Sequence, residues 1–343
     1  MTGGRIVFLY SELAGYVLAC LDALAREGSH GVSVAHWPVN PEAPFRLPDA
    51  APVVLKDRSG MSREQLSAWV AEQSPVALVV SGWMDRDYVA VARRWKPRIP
   101  VVLTLDNPWT GSARQRLAAA ASAFTVRRTY DRVWYPGAPQ RPFAQRLGFE
   151  RTAEGLYCAD VTAFDAAWKL RTPKKRLLYV GRYLPFKGID ELWEAFSSIA
   201  DRFPDWELHA VGTGANWEQR KRHPQIVHHG FLQPDELAPL VASAAAFVMP
   251  SHHEPWGVVL HEMAAAGLPL IASDAVGAAS RFLVPDRNGY SFPAQDAAAL
   301  RRTLERMMRA SEAERNEMAT ASRALALEWN PERWAASLLA LIR

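Results

Sequence analysis

Cysteine is nearly absent: Cys20 and Cys158 are the two in a chain of 343 residues. Two thiols build neither a disulfide framework nor, alone, a zinc site, which points to a reducing compartment. No stretch approaches the ~20 consecutive apolar residues that span a bilayer. The first residues lack the charged-then-apolar layout of a secretory leader, and Ile6–Tyr10 reads as a strand instead. A cytoplasmic protein is therefore expected. No Gly-x-Gly-x-x-Gly follows that first strand, which argues against a dinucleotide-dependent dehydrogenase. There is also no 20–50-residue repeat and no low-complexity tract. With 49% hydrophobic and 22% charged residues, disordered, collagenous and coiled-coil chains are excluded.

What is present is a globular chain of a length that predicts roughly two domains. The net charge of +4 is unevenly spread. Residues 1–170 hold 20 Lys and Arg against 16 Asp and Glu, whereas residues 171–343 are balanced at 20 each. The excess concentrates between Arg86 and Arg151, with 13 basic residues against Asp87, Asp106, Asp131 and Glu150. Such a region implies an acidic partner: anionic lipid, nucleic acid or a phosphorylated substrate.

Short Val- and Leu-rich runs alternate with amphipathic helical patterns throughout. Strands are predicted at Ile6–Tyr10, Val32–His36, Val53–Leu55, Val76–Val80, Val101–Leu105 and Phe124–Val126. A second series follows at Arg176–Val180, Glu207–Val211, Ile226–His229, Phe247–Met249 and Leu268–Ala272. Apolar strands separated by helices mean parallel sheets covered on both faces. The polar stretch Lys169–Lys175 separates the series. Two doubly wound α/β domains are expected, 1–168 and 169–326, facing a central cleft. A last helix in 327–343 follows Asn330–Pro331 and is expected to pack back on the first domain.

Parallel sheets bind ligands beyond the carboxyl ends of their strands. Directly after one predicted strand stand Gly181 and Arg182, then Lys187 and Gly188 at the start of a helix. Arg and Lys at one strand end suit a diphosphate, through bidentate and point-charge contacts; a solvated loop explains the spacing equally well. After Phe247–Met249 comes Ser251-His252-His253-Glu254-Pro255-Trp256-Gly257, and then a helix that carries Glu262. The amides of Gly257, Val258 and Val259 would form an anion site at that helix's amino end. Glu254 would meet sugar hydroxyls and Glu262 a ribose diol. An exposed helix position is the ordinary alternative for Glu262, weakened by its apolar neighbours Leu260, Met263 and Ala264.

Gly-Arg-x4-Lys-Gly followed by Glu-x7-Glu resembles the retaining glycosyltransferases of family 4, which have the two-domain GT-B fold. The resemblance includes Ala210-Val211-Gly212-Thr213-Gly214, Gly230-Phe231-Leu232, Ser273-Asp274-Ala275-Val276-Gly277 and Asp286-Arg287-Asn288-Gly289-Tyr290. It covers most of the C-terminal half, while the N-terminal half matches loosely. It implies transfer of a sugar from a nucleotide-diphosphate donor, with UDP favoured, to an acceptor hydroxyl on a glycan or lipid-linked glycan precursor. Arg182 and Lys187 would neutralise the diphosphate, Glu254 would contact the transferred sugar, and Glu262 would bind the ribose. Backbone around Phe231 and Leu232 would read the base. Gly15 is the one glycine in the loop after the first strand that matches the family's diphosphate-approaching backbone.

Where the family has a His-Asp pair, this chain has Asp106-Asn107-Pro108-Trp109. Asp106 would act as a base or orient the sugar, with Asn107 and Trp109 beside the acceptor; Asp-Asn-Pro is also strong turn chemistry. No cofactor or metal is expected, because Arg, Lys and a helix amino end carry the diphosphate charge. Asp85-Arg86-Asp87 mimics a metal-binding motif of another glycosyltransferase fold and reads as a helix start or an acceptor contact. His228, His229, His252 and His253 lack ligand spacing and read as packing. Rival readings are a phosphorylase or epimerase on the same fold, and a non-catalytic sugar-nucleotide-binding subunit. The basic region, with Trp83, Trp95, Trp109 and Trp134 and the run Arg93–Arg98, resembles an anchor for an anionic membrane surface, which would put the chain on the inner face of a membrane. A solvated basic face with core tryptophans is the alternative. Nucleic acid is disfavoured because no binding module appears.

Overall fold

The Val- and Leu-rich runs form two parallel sheets in the computed structural model, which describes residues 4–27, 30–39, 44 and 52–343. The first holds β1 (Arg5–Tyr10), β2 (Gly31–His36), β3 (Val53–Asp57), β4 (Pro75–Ser81), β5 (Val101–Thr104), β6 (Arg132–Tyr135) and β7 (Arg151–Glu154) in the order 3-2-1-4-5-6-7. The second holds β8 (Arg176–Val180), β9 (Glu207–Val211), β10 (Ile226–His228), β11 (Ala246–Met249), β12 (Leu270–Ser273) and β13 (Gly289–Phe292) in the order 10-9-8-11-12-13. In both sheets the chain moves outward from the first strand, returns to its other side and moves outward again. The order therefore reverses at β1/β4 and at β8/β11, the places where doubly wound sheets open a crevice.

The chain divides into two compact units, Met1–Cys158 with Pro331–Arg343, and Ala159–Asn330. Residues 159–168 thus go with the second unit, ten residues before the boundary expected at the Lys169–Lys175 stretch. The reason is local: Arg323 pairs with Asp165, and the Ala159 amide donates to His261 Nδ1 at 3.0 Å. The Pro331–Ile342 helix packs on the Gly15–Glu27 helix. Its Trp334 ring lies 4.8 Å from that of Trp134 and donates Nε1–H to the Leu156 carbonyl. Both cysteines are buried thiols.

Three strands differ from expectation. Phe124–Val126 is not a strand: Ser122–Phe124 is a 3-10 turn and Val126–Thr129 a helical turn. The strand lies just beyond, at β6, where Arg132 is buried and donates Nη1–H to the Ile342 carbonyl at 3.1 Å. A leading arginine in a four-residue run masks the strand pattern. The unpredicted β7 and β13 are also four residues long, and Asp286–Tyr290 has turn chemistry immediately before β13. Apolar side chains of both units fill cores on the sheet faces, so the carboxyl ends of the strands carry the polar loops.

Candidate active site

In the second unit, the loops after β8 and β11 leave the sheet side by side at the point of reversal. Gly181 follows β8, and Arg182 is held there: the Tyr179 hydroxyl donates to its carbonyl at 2.9 Å, while Tyr183 N–H reaches the Thr213 carbonyl at 2.8 Å. A 3-10 turn, Pro185–Lys187, then presents Lys187. His252 N–H donates to the Phe186 carbonyl at 2.8 Å, which ties the two loops together. Glu254 forms an isolated parallel bridge with Val276 beyond the ends of β11 and β12, one residue out of their register. Gly277 and Ala278 donate to the carbonyls of Glu254 and Trp256 at 3.0 and 2.9 Å.

The outcome is an ion pair between Lys187 Nζ and Glu254 Oε2, whose side chains are only 17% and 11% exposed. Ser251 Oγ, absent from the sequence-based site, lies 3.4 Å from the same carboxylate oxygen. Gly257 caps the Val258–Ala265 helix with φ +90°, and an added Cβ would stand 2.9 Å from Glu254 Cγ. The amino end of that helix, with Val258 and Val259 in its first turn, therefore sits against Glu254. Unpaired first-turn amides and the helix dipole make such an end favourable for an anion.

Glu262 lies one turn along this helix, between the buried His261 and Met263. Burial pushes its carboxyl up to about 7, with the Asp160 charge adding in the same direction. The folded chain then retains a proton that the unfolded chain loses above its ordinary value of 4.5. Stability contributed by Glu262 falls as pH rises from there toward 7, and the lower level persists above it. Glu262→Gln is expected to gain melting temperature relative to the unaltered protein between pH 5 and pH 8. Melting curves at the two pH values check this; a pH-independent difference would contradict it. His261, stacked on Phe282 at 3.9 Å, is pushed down to about 4 by burial.

Phe231 and Leu232 follow β10 at the sheet edge, beyond β9, and the Gly230 carbonyl accepts from Gly212 N–H at 2.7 Å. Of the four histidines expected to pack, three are engaged within the same unit, whereas His253 is exposed. His209 contacts Glu207 and His229, each at 3.0 Å; His228 contacts the Tyr183 hydroxyl, and His252 contacts Glu191. Among the described residues, no group of three or more His, Cys, Asp or Glu is arranged to hold a metal ion.

The first unit has its own pocket, about 860 Å³, at the carboxyl ends of its strands. Asp106 and Asn107 line it, with Tyr157 donating to Asp106 Oδ2 at 3.4 Å and Asn107 to Oδ1 at 3.2 Å. Burial, and then the charges of Tyr10 and Asp106, raise the Tyr157 hydroxyl well above its ordinary value, so it stays a donor. Trp37, Arg58, Trp83 and Arg114 also line the pocket, and no sequence motif points to them. The available signal is their position: Trp37, Arg58 and Trp83 each follow a strand within two residues.

Trp109 does not line that pocket; its ring packs on Phe143 at 5.6 Å under Arg146. Gly15 begins the first helix with open space where a Cβ would be. Asp85 is the N-cap of the Arg86–Trp95 helix, accepting from Asp87 and Tyr88 amides. Asp87 pairs with Arg63 and Arg58, which hold its carboxyl below the ordinary range. Asp85-Arg86-Asp87 is therefore a helix start.

The comparisons with known proteins follow the same division. Residues 160–325 match the family model described as glycosyl transferases group 1. A glycogen synthase of Mycobacterium tuberculosis is 34% identical over 142 residues, 39% of this chain and 34% of that protein. A phosphatidyl-myo-inositol mannosyltransferase of Mycobacterium leprae is 34% identical over 141 residues, 39% of this chain and 37% of that protein. The matched chain thus spans about a third of the length of these curated relatives. Among solved structures, sucrose-phosphate synthase of Thermosynechococcus elongatus superposes with a TM-score of 0.75 at 21% identity, covering 98% of both chains. Anabaena HepE, solved with UDP and glucose, gives 0.72 at 15% identity, covering 98% of this chain and 99% of that one. The chain has the GT-B fold of two Rossmann-like units, and its residues 160–325, just under half of it, match the glycosyl transferases group 1 family.

Proposed function

We propose that the protein is a retaining, metal-independent glycosyltransferase of family 4. It moves a sugar from a nucleotide-diphosphate donor, UDP by preference, to an acceptor hydroxyl on a glycan or lipid-linked glycan precursor. The observation that carries this reading is the Lys187–Glu254 pair at the β8/β11 reversal, against the amino end of the Val258–Ala265 helix. A nucleotide sugar joins a dianionic diphosphate to a polyhydroxyl ring. Adjacent ammonium and carboxylate groups match those two parts in one molecule.

In this reading Arg182, Lys187 and the helix amino end stabilise the diphosphate as the bond from anomeric carbon to phosphate oxygen breaks. Glu254 holds sugar hydroxyls and Glu262 the ribose diol, while backbone near Phe231 and Leu232 faces the base. The acceptor oxygen bonds to the anomeric carbon from the face the phosphate leaves, and its proton passes to the departing phosphate oxygen. The first unit's pocket supplies Asp106 and Asn107 to the acceptor. The UDP preference draws on the HepE structure, which holds UDP.

A panel of UDP-, GDP-, ADP- and dTDP-sugars tests the donor site by thermal melting without added metal. One nucleotide class, UDP by this reading, should raise the melting temperature; saturation at a hundredfold over Kd stabilises by about 2.7 kcal/mol. Arg182→Ala should remove the shift. A shift with inorganic phosphate and none with nucleotides would favour a phosphorylase. Donor binding with neither transfer nor donor hydrolysis would favour a non-catalytic subunit.

A further inference from the structure

The basic region between Arg86 and Arg151 resembles, in sequence, a membrane anchor built on tryptophans. The structure gives those indoles other work. Trp134 is fully buried, and Trp83, Trp95 and Trp109 pack against the core of the first unit. The cations of the Arg93–Arg98 run are also engaged: Arg93 contacts Thr129, Arg94 contacts Ser67, and Lys96 donates to the Arg127 carbonyl.

A different segment is anchored only at its far end, where Ser122 and Val126 are buried. The Ala113–Ala120 helix contains no buried residue, which is unusual for a helix of a folded domain, since burial of one face is what ordinarily holds it. Its Leu117 is 71% exposed, and Phe124, seven residues on in the following 3-10 turn, is 77% exposed. Isolated exposed apolar residues are common, but these two stand on one continuous segment flanked by exposed Arg114, Arg116, Arg127 and Arg128. No acidic residue occurs between Asn107 and Tyr130. The inner side of the same helix lines the pocket of the first unit through Arg114, Gln115 and Ala118.

We propose that residues 113–128 dock on an anionic lipid surface, with Leu117 and Phe124 entering the headgroup boundary and the arginines meeting phosphates. Exposed leucine and phenylalanine beside arginines supply the apolar and the electrostatic contributions on which interfacial binding depends. Charge complementarity selects anionic over zwitterionic lipid. A second copy of the chain fits less well, because an eight-residue helix is about 12 Å long and supplies little of the ~800 Å² per partner that a stable dimer buries. The proposal does not depend on the glycosyltransferase reading. Combined with it, an acceptor pocket bordered by a docking helix favours a lipid-linked acceptor over a soluble one.

The test is co-sedimentation of the full chain with phosphatidylcholine vesicles, with and without phosphatidylglycerol. The unaltered protein should sediment only when phosphatidylglycerol is present and should be released by high salt. Leu117→Ser with Phe124→Ser should weaken binding at least tenfold. Arg116→Gln with Arg128→Gln should weaken it about 25-fold, at about fivefold per cation. None of the four side chains is buried, so circular dichroism and melting should be unchanged. The donor-induced melting shift on the same variants reports separately on the second unit.

Sedimentation that ignores phosphatidylglycerol, or that survives both double substitutions, would overturn the proposal. So would binding of a DNA duplex that competes with vesicles and persists after Leu117→Ser with Phe124→Ser. A dimer in solution that the same double substitution dissolves would assign the face to a second copy and overturn it as well.

Discussion

Replacing Glu254 by alanine should abolish sugar transfer, lowering kcat by at least about 100-fold, the scale for removing one preorganised group that acts in the transition state. The structure adds a second effect. Lys187 and Glu254 pair in a setting that shields most of both side chains. Removing the carboxylate leaves a shielded ammonium with one partner fewer, at a cost of about 2 kcal/mol. Loss of activity in Glu254→Ala is therefore ambiguous by itself. Glu254→Gln separates the two effects, because the amide keeps the size and still accepts a hydrogen bond from Lys187. Its melting temperature should stay near that of the unaltered protein while transfer is lost. Transfer within threefold of the unaltered rate in Glu254→Gln, with donor binding intact, would remove the carboxylate from the mechanism. Ser251 at 3.4 Å would not substitute for it, since a neutral hydroxyl cannot balance charge developing on the sugar.

How far this site can be read from sequence depends on which physical signal carries each part. The strands that seed it, Arg176–Val180 and the run ending at Met249, are largely apolar, and parallel sheets leave that mark because both faces are covered. Residues directly after them are therefore in reach, and Arg182, Lys187, Glu254 and the Gly257 cap follow such strands. What no spacing reveals is that the two loops touch, because Phe186 and His252 are 66 positions apart and their bond depends on strand order. Strand order is settled by packing of whole elements. The first unit is less legible for the same reason. Its pocket gathers Ser11, Trp37, Arg58, Asp85, Asp106 and Tyr157 from loops after six different strands, so no local motif carries it. Arg58 shows the difficulty: it reads as an ordinary charged loop residue, yet it lies buried over the Tyr88 ring and paired with Asp85 and Asp87. The tryptophans mislead in the opposite direction. A cluster of indoles among arginines looks interfacial in sequence, whereas Trp134 and Trp334 meet ring to ring inside the unit.

Gly188→Ala should destabilise the second unit by about 3 kcal/mol or more and remove the donor-induced melting shift. Gly188 has φ +68° and ψ 19°, closing the Pro185–Lys187 turn and opening the Ile189–Ser197 helix in one residue. Left-handed backbone costs a residue with a Cβ about 1 kcal/mol or more. Steric contact costs more: an added Cβ would stand 2.1 Å from the Pro250 carbonyl oxygen. A backbone oxygen cannot step aside by changing rotamer, so one of the two loops must retreat by roughly 1 Å. Either retreat strains the Phe186–His252 tie and moves Lys187 away from Glu254. For a unit of this size the stability loss corresponds to a fall in melting temperature of roughly 6–12 °C. Gly60→Ala gives the comparison, since Gly60 has φ +74° with no atom within 4 Å of where a Cβ would stand, and so isolates backbone strain from contact. The difference between the two substitutions measures how tightly the loops after β8 and β11 are pressed together. A Gly188→Ala protein that melts like Gly60→Ala and keeps its donor shift would mean that these loops yield without cost. Positioning of Lys187 against Glu254 would then have to come from the side chains themselves rather than from the backbone that carries them.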